Sequence, residues 1–351
     1  MLKDKVLFLG LGNCGCKIAK IFGDAGYATM YANGSEQDLK SLGNVKNIYR
    51  LDGFDGFGGH RDRAIACISE NIDFINELKN IEQEIVFVVF GAGGSTGSGI
   101  STVAAEILIE ANKTACMIPV LPYKNEPIIK HSNSHELFVE LQDLEETGAT
   151  LFLNNENSAD KNNFDFINKN LFEALNMYLT DFSYGVLNNF DESERIEMLK
   201  EHGAFILSLN KPSTSTNDII DSLKKDGIFA PVENNFLCGH IGIIHQGGND
   251  SDIKVEQLVT EFGKPLNSFE GYNATNTLVA ISGLSYPFDY IASLGKLAQN
   301  ALNERKRGAK SVNKLKSLNL NLNSSFDVQN EKQEKTIKKK SKLDLIRELN
   351  K

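Results

Sequence analysis

No run of eighteen apolar residues occurs in the 351-residue sequence, so no segment reads as a membrane-spanning helix. The opening "MLKDKVLFLGLG" carries charges and lacks a cleavable small-residue site, which argues against a secretory leader. A cytoplasmic protein without membrane contact is the expectation. Cysteine is scarce and odd in number. Cys14, Cys16, Cys67, Cys116 and Cys238 show no paired zinc spacing, so neither a disulfide frame nor a four-ligand zinc site is expected, and no protein-built metal cage is evident. The pattern G-x-x-x-x-G-K-[ST] is missing, which disfavours P-loop kinases and ATPases. Positive charge is in deficit, 37 Lys and Arg against 46 Asp and Glu. That deficit is uneven, because Glu304 to Lys351 hold 14 basic and 6 acidic residues. An acidic body repels nucleic acid, so any contact with DNA or an acidic partner falls to the basic tail.

The first half alternates strand and helix patterns. "KVLFLG", "YATMYAN", "NIYRLDG", "EIVFVVF", "ACMIPVLP" and "TLFLNN" read as strands. Helical periodicity marks "CKIAKIFGDAG", residues 61 to 79, about 98 to 112, and about 126 to 146. Short apolar runs separated by helices imply parallel strands covered on both faces. Such sheets take ligands beyond the carboxyl ends of their strands. Phe164 to Tyr184 predicts one long helix with Phe166, Leu171, Leu175, Tyr178, Leu179 and Phe182 along a broad stripe. Beyond it, "AFILSLN", "NFLCGHIGIIHQ" and "NTLVAISGLS" read as strands of a second, smaller α/β unit with three helices. Residues 308 to 335 have the composition of a disordered linker, and "KKKSKLDLIRELNK" can form a short terminal helix.

Three loops are built almost without side chains. "GLGNCG", Gly10 to Gly15, follows the first strand and opens a helix, as in the dinucleotide fingerprint whose glycines admit a diphosphate to backbone N–H groups. Alone it is a weak signal. A dehydrogenase wants an acid at the end of the second strand, where Asn33 stands, with Glu36 and Asp38 only later. "GAGGSTGSGI", residues 91 to 100, follows the fourth strand and adds the hydroxyls of Ser95, Thr96 and Ser98. A simple turn explains two or three glycines, but two such loops at neighbouring strand ends can hold one polyphosphate from both sides. "GFGGHRDRA", residues 56 to 64, is a third loop of this kind.

These residues resemble the tubulin/FtsZ GTPases. "GAGGSTGSG" is similar to the family signature GGGTGTG, with Ala92 and Ser95 as small departures, and the resemblance runs over roughly residues 1 to 300. It implies a parallel-sheet α/β GTPase domain, a long central helix and a second smaller α/β domain. The boundaries expected are 1–162, 163–190, 191–307 and a tail over 308–351. It also implies GTP or GDP as ligand, with Mg2+. Matched residue by residue, Gly12, Asn13, Cys14 and Lys17 take the first phosphate loop. Gly91, Ala92, Gly93, Gly94, Ser95, Thr96 and Gly97 take the second, and Gly58 and Gly59 the third. "PYKNEPIIK" places Glu126 on the ribose-contacting acid and Lys130 on the basic position. "FLNNEN" offers Asn155 to the base, with Asn154 one residue away. On the long helix, Phe166 and Asn170 are four apart and share a face, suited to stacking on guanine and reading its edge.

"NNFDESE" looks like the family's N-x-D-x-x-[DE] loop, with Asn189, Asp191 and Glu194 in the polar positions. In an arbitrary sequence Asp191 and Glu194 would be a capping box. In this family the loop enters the nucleotide pocket of the next subunit, so the resemblance implies a site completed only in a head-to-tail homopolymer. The long charged tail is similar to that of the TubZ branch, whose tails engage a DNA-binding adaptor on centromere-like DNA in plasmid or phage segregation. An FtsZ-like division filament, an NAD-dependent Rossmann oxidoreductase and a nucleotide-gated structural protein are the alternatives.

Overall fold

The computed structural model describes residues 1–312 except 54–55, 161–163, 181–189, 212–213, 234–236, 247–252 and 274. A 3-10 turn, Leu2–Lys5, leads into β1 (Val6–Leu11). There follow α1 (Gly12–Asp24), β2 (Ala28–Asn33), α2 (Glu36–Ser41), β3 (Ile48–Arg50), α3 (Arg61–Ile68), α4 (Ile72–Lys79), β4 (Ile85–Gly91), α5 (Thr96–Glu110), β5 (Thr114–Leu121) and α6 (Ile128–Leu141). Then come β6 (Ala149–Thr150), β7 (Leu153–Asn154), α7 (Asp165–Thr180), α8 (Glu192–Lys200), β8 (Gly203–Asn210) and α9 (Thr216–Asp221). The chain closes with β9 (His240–Gln246), α10 (Val255–Phe262), β10 (Asn267–Asn273), β11 (Thr277–Leu284) and α11 (Phe288–Val312).

The strands form one sheet in the order β10-β9-β11-β8-β6-β5-β4-β1-β2-β3, with β7 beside β5. From β3 to β8 every pairing is parallel. Helices therefore cross over both faces, and the central strands are apolar throughout: all of β1 and Ile85 to Phe90 of β4 are buried. β11 runs antiparallel to both β8 and β9, and β10 returns parallel to β9. Only two residue pairs, Ala149↔Gly203 and Thr150↔Ala204, join the two halves of the sheet at β6–β8.

Several expected elements differ in detail. Residues 61–79 form two helices, because Asn71 turns its amide back onto the Cys67 carbonyl (2.7 Å) and pairs with the backbone of Asp52 (2.9 and 3.2 Å). A side chain bonding the preceding turn competes with the helix ladder there. "TLFLNN" divides into β6 and β7, both on β5. β10 has too mixed a composition, "NSFEGYN", to read as a strand, yet it forms the sheet edge. The expected linker is helical in backbone as far as Val312. The remainder of the tail and its terminal helix lie outside the described residues, as does the expected end of the long helix beyond Thr180. No described helix is long and apolar enough to cross a membrane.

Candidate functional site

β1 and β4 are neighbours in register, Leu11 beside Phe90, so the loops that leave them start side by side. Their contact is backbone to backbone. A Cβ on Gly12, whose φ is +70°, would lie 3.2 Å from the Gly97 nitrogen and 3.4 Å from the Thr96 Cβ. One on Gly97 would meet the Leu11 carbonyl at 2.8 Å and the Phe90 Cβ at 2.9 Å. Glycine is needed here so that the two loops can approach each other. α1 and α5 both begin at this junction, and neither carries an acid in its first turn. Two helix N-termini thus present N–H groups and the positive ends of their dipoles to one cavity, an arrangement that favours an anion.

That cavity has a volume of about 440 Å3 and opens at the carboxyl ends of the strands. Gly12, Asn13, Cys14 and Lys17 line it from the first loop, and Gly91, Gly93, Gly94, Ser95, Thr96 and Gly97 from the second. Glu126, Lys130 and Asn155 complete the expected members. Glu126 accepts from the Tyr123 backbone N–H (3.2 Å) and pairs with Lys130 one turn on. Burial, with Glu126 nearby, pushes the Cys14 thiol up to about 11, so it stays protonated.

Ala92 is buried behind the wall, with its N–H bonded to the Val120 carbonyl (2.9 Å). Gly58 and Gly59 do not line the cavity either; the Gly59 carbonyl accepts from Asn133. The aromatic and amide expected at Phe166 and Asn170 do not line the cavity. Phe166 is 63% exposed, and the Asn170 amide donates to the Phe166 carbonyl of its own helix (2.7 Å). Phe164 and Asn168 line the cavity instead. The four-residue spacing holds, but the register moves by two, which is about 200° round the helix. Ile167, Leu171, Ala174 and Tyr178 set the buried face of α7, and that stripe was the available signal that Phe166 points away from it.

Sequence reading also passed over Asn33 and Asp38 as cavity residues. Asn33 ends β2, accepts from the Ser35 N–H (3.3 Å) and the Thr96 hydroxyl (3.4 Å), and donates to Asp38 (3.1 Å). It ties the end of β2 to the start of α5 and turns one carboxylate toward the cavity. Among the described residues, no group of three or more His, Cys, Asp or Glu could by itself hold a metal ion.

Asp191 and Glu194 are at the other end of the molecule. Asp191 is the N-cap of α8: its carboxylate accepts from the Glu194 N–H (3.0 Å) and the Ser193 hydroxyl (2.7 Å), while Glu194 accepts from the Asp191 N–H (2.9 Å). The capping box is therefore formed. Hydrogen bonding to the Glu194 N–H and then to Ser193 holds Asp191 below its ordinary value; burial raises Glu194. Arg195, buried, fixes the cap by donating to the carbonyls of Phe190 (3.1 Å) and Tyr178 (2.9 Å). Glu192 pairs with Lys5 at 3.1 Å, immediately before β1. The cap thus lies at the amino ends of the strands, with the 16 residues of α7, about 24 Å of helix, leading there from the cavity. Asn189 lies outside the described residues.

Comparison with known proteins adds the following. Residues 5–163 match the Tubulin/FtsZ family, GTPase domain. The chain is 25% identical over 320 residues to the tubulin-like protein TubZ of a Clostridium botulinum C phage, covering 87% of this chain and 86% of that one. In structure it resembles the tail-truncated TubZ of Clostridium botulinum phage c-st, with a TM-score of 0.76, 23% identity, and coverage of 87% and 100%. It also resembles a GTPγS-form protofilament of Bacillus thuringiensis serovar israelensis TubZ, with a TM-score of 0.73, 15% identity, and coverage of 89% and 96%. With the parallel sheet and the paired glycine loops already in place, the match shows that residues 5–163 of this chain are similar to a Tubulin/FtsZ family GTPase domain, in a fold shared with the TubZ structures.

Proposed function

We propose that the cavity binds GTP, and that hydrolysis occurs when a second copy, stacked head to tail, brings its Asp191, Glu194 and Asn189 against the terminal phosphate. The observation that carries this reading is the separation within one chain. The cavity lies at the carboxyl ends of the strands and the acids at the amino ends. Neither end is a complete enzyme. Backbone N–H groups of the two glycine loops, with Lys17, surround the phosphates. Glu126 takes the ribose, with Lys130 beside it. Phe164 lies against the base, and Asn155 and Asn168 read its edge. A carboxylate from the neighbouring copy orients or deprotonates water, which attacks the γ-phosphorus; the bond to the β-phosphate oxygen breaks, releasing GDP and phosphate.

Magnesium fits this cavity. The ion is commonly held by one or two carboxylates together with substrate phosphates, and Asp38, fixed by Asn33, supplies one. Bound there, it would offset phosphate charge.

A contact between opposite ends of identical chains does not close, so assembly gives a filament. The TubZ of Bacillus thuringiensis has been crystallised as a protofilament, which supports this part of the reading. The basic tail from Glu304 onward suits an adaptor on DNA, and segregation of plasmid or phage DNA is the cellular role proposed.

Light scattering with GTP, ATP or NAD, run beside phosphate release, tests the proposal. GTP alone should raise scattering, and turnover per subunit should increase with protein concentration. Turnover per subunit that is unchanged on dilution would show a site complete in one chain.

A further inference from the structure

Asn133 is a buried side chain to which the reaction as described assigns no part. It lies on α6, 3% exposed, three residues after Lys130 and thus on the same side of the helix. Its amide nitrogen donates to three carbonyls: Gly59 at 3.0 Å, Gly93 at 3.2 Å and Gly94 at 3.3 Å. The first belongs to the 56–60 loop, the others to the phosphate loop. One amide has two hydrogens, so two separate loops share a single donor group.

The packing around it is close. A Cβ on Gly93 would fall 2.7 Å from the Lys130 Cβ and 3.1 Å from the Lys130 carbonyl, so the phosphate loop rests directly on the first turn of α6. Gly59, at a φ of +83°, faces Ile129 of the same turn. Ser98 donates its hydroxyl to the Gly94 carbonyl as well, and Arg61, just after the 56–60 loop, donates to the Ser98 carbonyl (2.7 Å) and to Glu140 of α6 (2.7 Å). The Gly93 and Gly94 carbonyls are thus drawn onto Asn133 and Ser98, while the Gly94 N–H bonds back to the Gly91 carbonyl (3.1 Å). In a trans peptide the carbonyl and the following N–H point in opposite directions. Holding the Gly94 carbonyl on Asn133 and Ser98 turns the Ser95 N–H toward the other side, where Ser95 lines the cavity.

We propose that Asn133 is a positioning residue for phosphate recognition: by holding the Gly94 carbonyl, with those of Gly93 and Gly59 beside it, it fixes the outward direction of the Ser95 N–H that meets the nucleotide's phosphates. It acts through the backbone and touches no ligand. The inference rests on the cavity being a nucleotide site, and it makes a demand that simple core packing does not. Removing the amide donors should weaken ligands in proportion to their phosphate contacts while leaving the nucleoside portion alone.

The test compares Asn133→Leu, close in size, uncharged and without donors, with the unaltered full-length chain. Binding of GTP and GDP is measured by calorimetry and of guanosine by ligand-observed NMR. Both nucleotides should weaken about tenfold or more, as expected when buried carbonyls lose their partner, and guanosine by less than about twofold. Parallel weakening of all three ligands would mark Asn133 as ordinary packing, and unchanged GTP affinity would remove the role altogether; either overturns the proposal. Should Asn133→Leu not fold, Ser98→Ala removes the separate hold on the Gly94 carbonyl. It should give the same selective loss at smaller size, and a uniform loss or none would overturn the inference. Failure of the unaltered protein to bind any guanine nucleotide would instead defeat the parent reading.

Discussion

The two ends of the sheet are made from different materials. At the carboxyl ends the cavity is walled largely by backbone: glycine loops and two helix N-termini, with the side chains of Asn33 and Asn133 bonded to neighbouring groups behind them. At the amino ends the polar groups are carboxylates, each already paired within its own chain through the α8 capping box and the Glu192–Lys5 ion pair. A surface of outward N–H groups calls for an external anion. A satisfied cap calls for nothing, so on the proposed reading its acids would act on chemistry only when another molecule is brought to them. The contrast also removes a false choice between cap and catalyst, because Asp191 can stabilise α8 and still expose its charge.

The sharpest way to break the carboxyl end is Gly97→Val. Its side chain would begin within 3 Å of the Leu11 carbonyl and the Phe90 Cβ, forcing the two loops apart. Calorimetry should find no nucleotide binding, and melting should show a loss of about 1–3 kcal/mol from overpacking. At the amino end, Asp191→Ala should slow phosphate release about 100-fold or more and remove about 1 kcal/mol of cap stability, with nucleotide affinity unchanged. Asp191→Asn sharpens the comparison: asparagine caps as well as aspartate, so the melting temperature should hold while hydrolysis fails. If Asp191→Asn hydrolyses GTP normally, the acid has no catalytic part.

The register of α7 offers a smaller contrast. Phe164→Ala should weaken GTP about tenfold or more through lost stacking, and Phe166→Ala less than about twofold, both read by titration. The smallest effect is in pH. Hydrogen bonds hold folded Asp191 below its ordinary value of 3.8. Its charge therefore stabilises the fold above that value, and the contribution fades as pH falls through the lower, folded value. The stability gap between the natural chain and Asp191→Ala should be full at neutral pH and shrink in acid, as followed by denaturant titration.

Much of this was legible in the sequence because β1 and β4 are uninterrupted apolar runs and a glycine loop directly follows each. Asp191 and Glu194 were legible twice, as a cap and as family acids, and the cap is visible in one chain. Phe164 was missed because the four-residue spacing was read without the apolar stripe of Ile167, Leu171, Ala174 and Tyr178, which sets the buried face. Asn33 ends a different strand and Asp38 lies on the short helix after it, both brought to the cavity by sheet order, which no local pattern records. β10 was invisible because an edge strand with mixed polarity lacks the alternation of a half-buried one. The break at Asn71 depends on a bond to Asp52, nineteen residues away.

The capping box has one more consequence. A long side chain recruited to an interface ordinarily surrenders its freedom on docking, an entropic charge of about 0.5–1.5 kcal/mol for each immobilised group. Asp191 is already held by hydrogen bonds from the Glu194 N–H and the Ser193 hydroxyl before any neighbour arrives. Whatever docks against that end meets a carboxylate that was pre-organised when the helix formed.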